Sequence, residues 1–353
     1  QEGHQVKRTQ PRAVRFDGFV VETNIHYPTD SSLLVDGLRV LLRLVVALSA
    51  EAGIPGWRQH RLLLRKGKEL HRKIDKAARS RGKDREQRLR ARYGELLEQV
   101  QGISARCEAT LQAVEQEGKP SDVMGQVMQE VLSAELRHYL ALTAPACAQA
   151  TRRTQQGETV PVQEKVFSLF EPHTQLRNRG KRPDPIEFGR QLVVAEDQLG
   201  FVVGYRILEA GELEQDVAVP LVTELQERWS GSIESVSSDR GFYTPANLEA
   251  LSKQVKVLAM PTKKQKLSQA DRERESDAAF QAARKRHPGI ESKSNALEAG
   301  NGLDRCRDRG EPGFQRYIAQ ALLGRNLHTL GRLLLDQERR RRKRDEGQRA
   351  LAA

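Results

Sequence analysis

The sequence predicts an α/β protein, a mixed sheet flanked by helices, with a long all-helical segment between the first and second strands. Three observations predict it. A β-branched run fills Ala13 to His26, a three-and-four helical period holds from about Trp57 to Ala144, and short β-rich runs return after Val166. At 353 residues the chain is long enough for one large elaborated domain or two ordinary ones.

Taken in order, "AVRFDGFVVETNIH" alternates Val14, Phe16 and Val20 with Asp17, Phe19, Val21 and Thr23, as in a strand covered on both faces. Asp17 in the middle of such a strand costs free energy unless it is bound or paired. "YPTDSS" breaks the strand, and Asp30 or Ser31 is expected to cap a helix over Leu33–Leu48, with Asp36 solvated. That helix is the most apolar stretch of the chain, yet it carries Asp36, Arg39 and Arg43, so it reads as buried and amphipathic, not membrane-spanning. Leu89, Tyr93, Leu96, Val100, Ile103, Cys107, Leu111 and Val114 mark a long second stripe. It is expected to pair as a helical hairpin with Val127, Val131, Leu132, Leu136 and Tyr139 across the turn "EQEGKPSD".

The period then changes. "RQLVVAED" and "GFVVGYRILE" read as a β-hairpin, "QDVAVPLVTELQERWSG" as a helix, and "SIESVS" as a strand with Asp239 at its end. In "TPANLEAL" Thr244 suits an N-cap and Pro245 the first helical position. A basic stretch follows, and a further helix begins near Ile290 with Glu291 in its first turn and Ile290, Ala296 and Leu297 on its apolar side.

The formal charge is +12 with 30% charged residues, a balance that favours a polyanionic partner, most simply nucleic acid. Cys107, Cys147 and Cys306 are far apart, which suits a reducing, cytoplasmic setting and offers neither a zinc site nor a disulfide framework. His26, His173, His287 and His328 lack metal-ligand spacing, and neither a nucleophile elbow nor a phosphate-cradling glycine loop is present. No secretory signal or membrane span is visible.

Without the helical block, the order β–β–β–α–β–α followed by late helices is that of the ribonuclease-H-like fold. In that fold, acids on the first strand, just after the fourth, and on a late helix converge on divalent metal. Those positions here are Asp17, Asp239 and Glu291. Magnesium is a hard cation that takes oxygen ligands, and a two-metal site can activate a nucleophile and stabilise a leaving oxygen.

"VVETNIHYPTDSSLL", "SLFEPHTQLRNRGKRPDPIEFGRQL", "SSDRGFYTPANL" and "IESKSNALEAGNGLDRCRDRGEPGFQRYIAQALLGRNLHTLGRLL" resemble bacterial insertion-sequence transposases of the DDE type, from about Arg15 to Leu335. The resemblance implies a magnesium-dependent enzyme, with manganese as substitute, that cuts and joins DNA strands through Asp17, Asp239 and Glu291. It implies duplex DNA as partner, a homodimer or higher assembly on it, and an amino-terminal DNA-binding region preceding this sequence. Relatives carry a small hydroxyl residue after the first aspartate, where this chain has Gly18 and then Phe19. Glu298 stands where some relatives have lysine, and, two helical turns beyond Glu291, it is the alternative third acid. An inactive remnant that only binds DNA, and a structure-specific nuclease on the same fold, are the competing readings. Phosphate contacts are assigned to Arg177, Arg179, Lys181 and Arg182 on a loop entering the hairpin, and to Arg240, Lys293, Arg305 and Arg307 around the acids, with Arg309 beside them.

The expected organisation is a first strand within residues 1–32 after a disordered start, a helical insertion over 33–150, the rest of the catalytic domain over 151–335, and a basic tail over 336–353.

Overall fold

The first strand is the centre of the sheet. The computed structural model describes residues 12–118, 122–178, 185–263 and 266–352, excepting the side chains of 291–293 and 347–352. In it β1 (Arg12–Glu22) runs antiparallel to β3 (Ile186–Asp197) on one side and parallel to β5 (Ile233–Ser238) on the other. β2 (Gln175–Asn178) and β4 (Val202–Ile207) pair with successive parts of β3, both antiparallel, and β6 (Val257–Ala259) runs parallel to β5. The result is a six-stranded mixed sheet.

Alternation along β1 sends its apolar side chains to two separate cores. Val14 and Phe16 pack with Val217, Leu221 and Leu225 of α5 (Glu214–Arg228) and with Leu251 of α6 (Pro245–Ser252). Phe19 and Val21 pack with Ile290 of α9 (Gly289–Asn295) and with Phe314 and Ile318 of α10 (Gly310–Ala352). Both faces are covered, which is why β1 reads as nearly continuous apolar sequence. Thr244 caps α6 by accepting from the Asn247 N–H, with Pro245 in the first turn, as the sequence predicts.

Four short elements escape the sequence reading. β2 and β6 span four and three residues, so neither shows a measurable alternation. Arg177 therefore sits on a strand, paired opposite Glu187, and not on a loop. The stretch read only as basic contains α7 (Gln269–Ser276) and α8 (Ala278–Arg286). The arginines from 339 to 344 belong to α10, which continues through residue 336 without a break.

Residues 25–174 form a second compact unit, separate from the unit made by residues 1–24 and 175–353. It contains α1 (Asp30–Glu51), α2 (His60–Arg79), α3 (Arg85–Glu117) and α4 (Val123–Thr154), with no strand among its described residues. Leu34, Leu38, Leu41 and Leu48 of α1 meet Leu96, Val100 and Ile103 of α3 and Leu136 of α4 in one core.

The cap of α1 is Thr29, neither Asp30 nor Ser31. Thr29 and Ser32 exchange side-chain-to-backbone bonds, a reciprocal arrangement that neither of its neighbours makes. Asp30 is instead buried, accepting from Gln149 Nε2 at 2.8 Å and pairing with Arg153 at 2.7 Å. Asp36 is not simply solvated either, because it is held between His26 and Arg39. On α4 the hairpin stripe fails at its start: Val127 and Val131 are 49% and 52% exposed, while Gly125, Gln129 and Ser133 are buried. The Gln129 amide donates to the Glu51 carbonyl, which satisfies its buried polar end.

The three cysteines are buried and form no disulfide among the described residues, and burial pushes the Cys107 thiol up to about 12 and Cys147 up to about 11. Among the described residues no helix is long and apolar enough to cross a membrane.

Candidate functional site

The parallel ladder between β1 and β5 ends at the pair Phe16–Ser238. Asp17 follows Phe16 on β1 and Asp239 follows the last residue of β5, so 222 positions of sequence separate two carboxylates that stand where β5 leaves the sheet. Such a carboxyl edge is where open α/β sheets hold ligands. Beyond Ser238 the chain enters a tight turn over Arg240–Phe242, and Asp239 Oδ1 accepts from the Gly241 N–H at 2.7 Å. Phe242 anchors that turn, its ring meeting Phe16 edge-to-face at 5.1 Å. Such a pair contributes about 0.5–1.5 kcal/mol beyond its buried area. Asp17 Oδ1 accepts from the Gly18 N–H at 2.8 Å.

Both aspartates line a cavity of about 370 Å³, together with Arg177, Gln191, Glu214 and Lys263. Glu214 is the acid the sequence reading missed. It opens α5, where a first-turn carboxylate is favoured by the helix dipole. Its Oε1 accepts from Gln191 Nε2 of β3 at 2.6 Å. Two glycines leave room for it. A Cβ on Gly18 would overlap Glu214 Oε1, and a Cβ on Gly241 would overlap Glu214 Oε2. Nothing in "GELEQD" distinguishes this glutamate from any other first-turn acid, and only the approach of Gly18 and Gly241 in space singles it out.

Two cations share the cavity. Lys263 Nζ donates to the Gly241 carbonyl at 3.1 Å. Arg177 donates to Gln175 Oε1 at 2.7 Å and to the Glu212 carbonyl. Burial, with Arg190 beside it, lowers the Arg177 pKa, and Glu214 and Glu212 oppose that shift. The guanidinium stays charged.

The other assigned residues divide into two sets. Arg240, Arg307 and Arg309 are exposed, and Arg305 is exposed but paired with Glu22 at 2.6 Å. Arg179, Lys181 and Arg182 lie outside the described residues, as do the side chains of Glu291 and Lys293. The backbone of Glu291 is in α9, which packs against β1. A Cβ on Gly289, two residues earlier, would overlap the guanidinium of Arg15, two residues before Asp17. α9 therefore starts over the face of β1 that Arg15 and Asp17 share by alternation. Glu298 lies in a π-helical turn over Ala296–Gly300 that continues α9.

Among the described residues no three His, Cys, Asp or Glu side chains are arranged to hold a metal ion. Asp17 and Asp239 provide two oxygen donors at one cavity, the donor type that magnesium takes. On that chemistry they fit a hard divalent cation. Compared with family models, curated proteins and solved structures, the chain matches none of them.

Proposed function

We propose that the sheet unit is a ribonuclease-H-like catalytic domain of the DDE transposase type, interrupted between its first two core strands by the helical unit. The observation that carries this reading is the juxtaposition of Asp17 and Asp239 at the end of β5. The strand order supports it: β4, β3, β1, β5, β6, with β3 antiparallel and β5 and β6 parallel to β1. The helices between β4 and β5 and between β5 and β6 also fall where that fold has them.

The reaction would proceed in two displacements. Water attacks a phosphodiester at the end of the element, the P–O3′ bond breaks, and a 3′-hydroxyl and a 5′-phosphate are released. That hydroxyl then loses its proton as it attacks a phosphorus of target DNA, forming a new P–O bond and expelling the target's own 3′-oxygen. Bound magnesium would supply charge neutralisation and nucleophile activation, with Asp17, Asp239 and Glu291 as its protein ligands. Lys263 and Arg177 place positive charge along the cavity, where they attract the phosphate and hold it in line. Gln191 fixes the Glu214 carboxylate beneath the two glycines. On this reading the partners are duplex DNA and a second copy of the chain.

The test is Asp239→Asn, which keeps shape and removes one charge. Magnesium-dependent cleavage of duplex DNA should fall about 10²-fold or more, a loss typical of removing one well-placed electrostatic group. Filter binding should hold or tighten, because phosphate affinity rests on lysine and arginine. Equal cutting by the variant would leave Asp239 as the cap of its turn and nothing more. Binding without cleavage by the parent chain would favour the inactive remnant.

A further inference from the structure

The net charge of this protein is concentrated in one place. Residues 58–92 hold fifteen lysines and arginines against four acids, a net of +11 out of the chain's +12. They cover α2, the loop after it and the first turns of α3, all within the helical unit. Fourteen of the fifteen cations are exposed, Arg92 being the half-buried one.

Helical geometry sorts these residues. Gly67 and Ile74 of α2 are buried, and Leu63, Leu64 and Leu70 pack against the core of the helical unit. At 100° per residue, Arg61, Arg65, Lys68, Arg72, Lys76 and Arg79 fall on the opposite face in one stripe. The stripe is about 27 Å long at 1.5 Å per residue, and no acid interrupts it. Among the described residues, Arg65 with Glu69 at 3.9 Å is the one ion pair that any of these six makes. Arg81, Lys83, Arg85 and Arg88 extend the positive surface around the loop. Arg85 Nε donates to the Ala78 carbonyl and Arg88 to Ser80 Oγ, so the loop is tied to the end of α2.

We propose that this face of α2, with the α2–α3 loop, is a docking surface for the phosphate backbone of duplex nucleic acid. A straight cationic stripe on an α-helix matches the width of a duplex major groove and its flanking phosphate rows. Ten of the fifteen cations are arginine, whose planar fork binds phosphate bidentately. An anionic membrane is the weaker match. Interfacial helices bury exposed aromatic or aliphatic side chains in the lipid boundary, and Leu63, Leu64, Leu70 and Ile74 of α2 are already committed to the core. No large hydrophobic residue among 58–92 is exposed. The surface grips without reading base sequence, and it stands whether or not Asp17 and Asp239 perform catalysis.

The experiment uses the full chain, a random-sequence 30-base-pair duplex and buffer without divalent cations, so that cleavage chemistry does not enter. Fluorescence anisotropy is read across a salt series for the parent and for a variant with Arg61, Arg65, Lys68, Arg72, Lys76 and Arg79 all changed to Gln. The parent's slope of log affinity against log salt should be steep. The variant's should be shallower by about 0.9 for each phosphate it no longer neutralises, about three to five in all, with affinity down at least about 100-fold at low salt. A variant exchanging Arg for Lys and Lys for Arg at the same six positions should keep most of the slope. Circular dichroism checks that helicity is kept, and should the sixfold variant unfold, Arg65, Lys68 and Arg72 changed to Gln should give about half the effect. A slope within about one unit of the parent's overturns the proposal. So does unchanged DNA affinity with lost binding to phosphatidylserine vesicles, which would assign the surface to membranes.

Discussion

Replacing Gly18 by alanine tests whether Glu214 is wedged at the carboxyl edge of the sheet. The new Cβ would overlap Glu214 Oε1 and lie 2.8 Å from Gln191 Nε2, so the carboxylate must swing away and its 2.6 Å bond to Gln191 is lost. A hydrogen bond to a charged group contributes about 1.5–3 kcal/mol. Against this, alanine loses less chain entropy than glycine on folding, which returns about 0.4–1 kcal/mol. The net expectation for Gly18→Ala is a destabilisation of about 1–2 kcal/mol. In a Glu214→Ala background the obstacle is gone, and the same change should be neutral or stabilise slightly. The coupling between the two sites is then about 2 kcal/mol.

Guanidinium unfolding measures this cycle. The chain has two tryptophans, Trp57 in the helical unit and Trp229 in the sheet unit, so a Trp57→Phe background leaves Trp229 reporting the sheet unit alone. Additivity of the two changes within about 0.5 kcal/mol would mean that the residues are energetically independent, and the wedge would be refuted.

Two further outcomes follow from burial. His287 is buried with Nδ1 3.3 Å from Ser237 Oγ, and burial, with Arg284 and Arg15 nearby, brings its pKa down to about 4 from 6.5. Because the unfolded chain takes up the proton first, stability is full above pH 6.5 and is lost as pH falls toward 4; about 2 kcal/mol should go between pH 6.5 and 5. His287→Gln should flatten that window in Trp229-monitored melts, and an unchanged slope would assign it to carboxylates. In the helical unit, Leu136→Ala should cost about 2–5 kcal/mol and Val131→Ala less than about 0.5, read through Trp57; equal losses would contradict the packing of α4.

What the sequence made legible was local and strongly signalled. The β3–β4 hairpin, α5, β5 and the Thr244–Pro245 start of α6 each rest on β-branched runs or cap chemistry that a few residues decide. Asp239 at the end of β5 was legible for the same reason. The cap of α1 was not, because "PTDSS" offers four residues able to cap and the choice falls to the one that Ser32 can answer. The face of α4 was misjudged because periodicity defines a stripe without saying what covers it. The first half of α4 turns Gly125, Gln129 and Ser133 inward, and its valines face outward.

The third acid at the cavity was illegible for a deeper reason. In one dimension Gly18 looks like no more than a missing side chain beside Asp17. In the fold, the volume of a side chain at 18 is taken by the Glu214 carboxylate, which Gly241 admits from the other side. A side chain at 18 and the carboxylate of Glu214 in its present position exclude each other, although 196 positions lie between them in sequence. One sequence shows the gap at 18 and an unremarkable glutamate at 214, with nothing to relate them. The bare position at 18 is therefore what admits a carboxylate from α5 to the edge of β1.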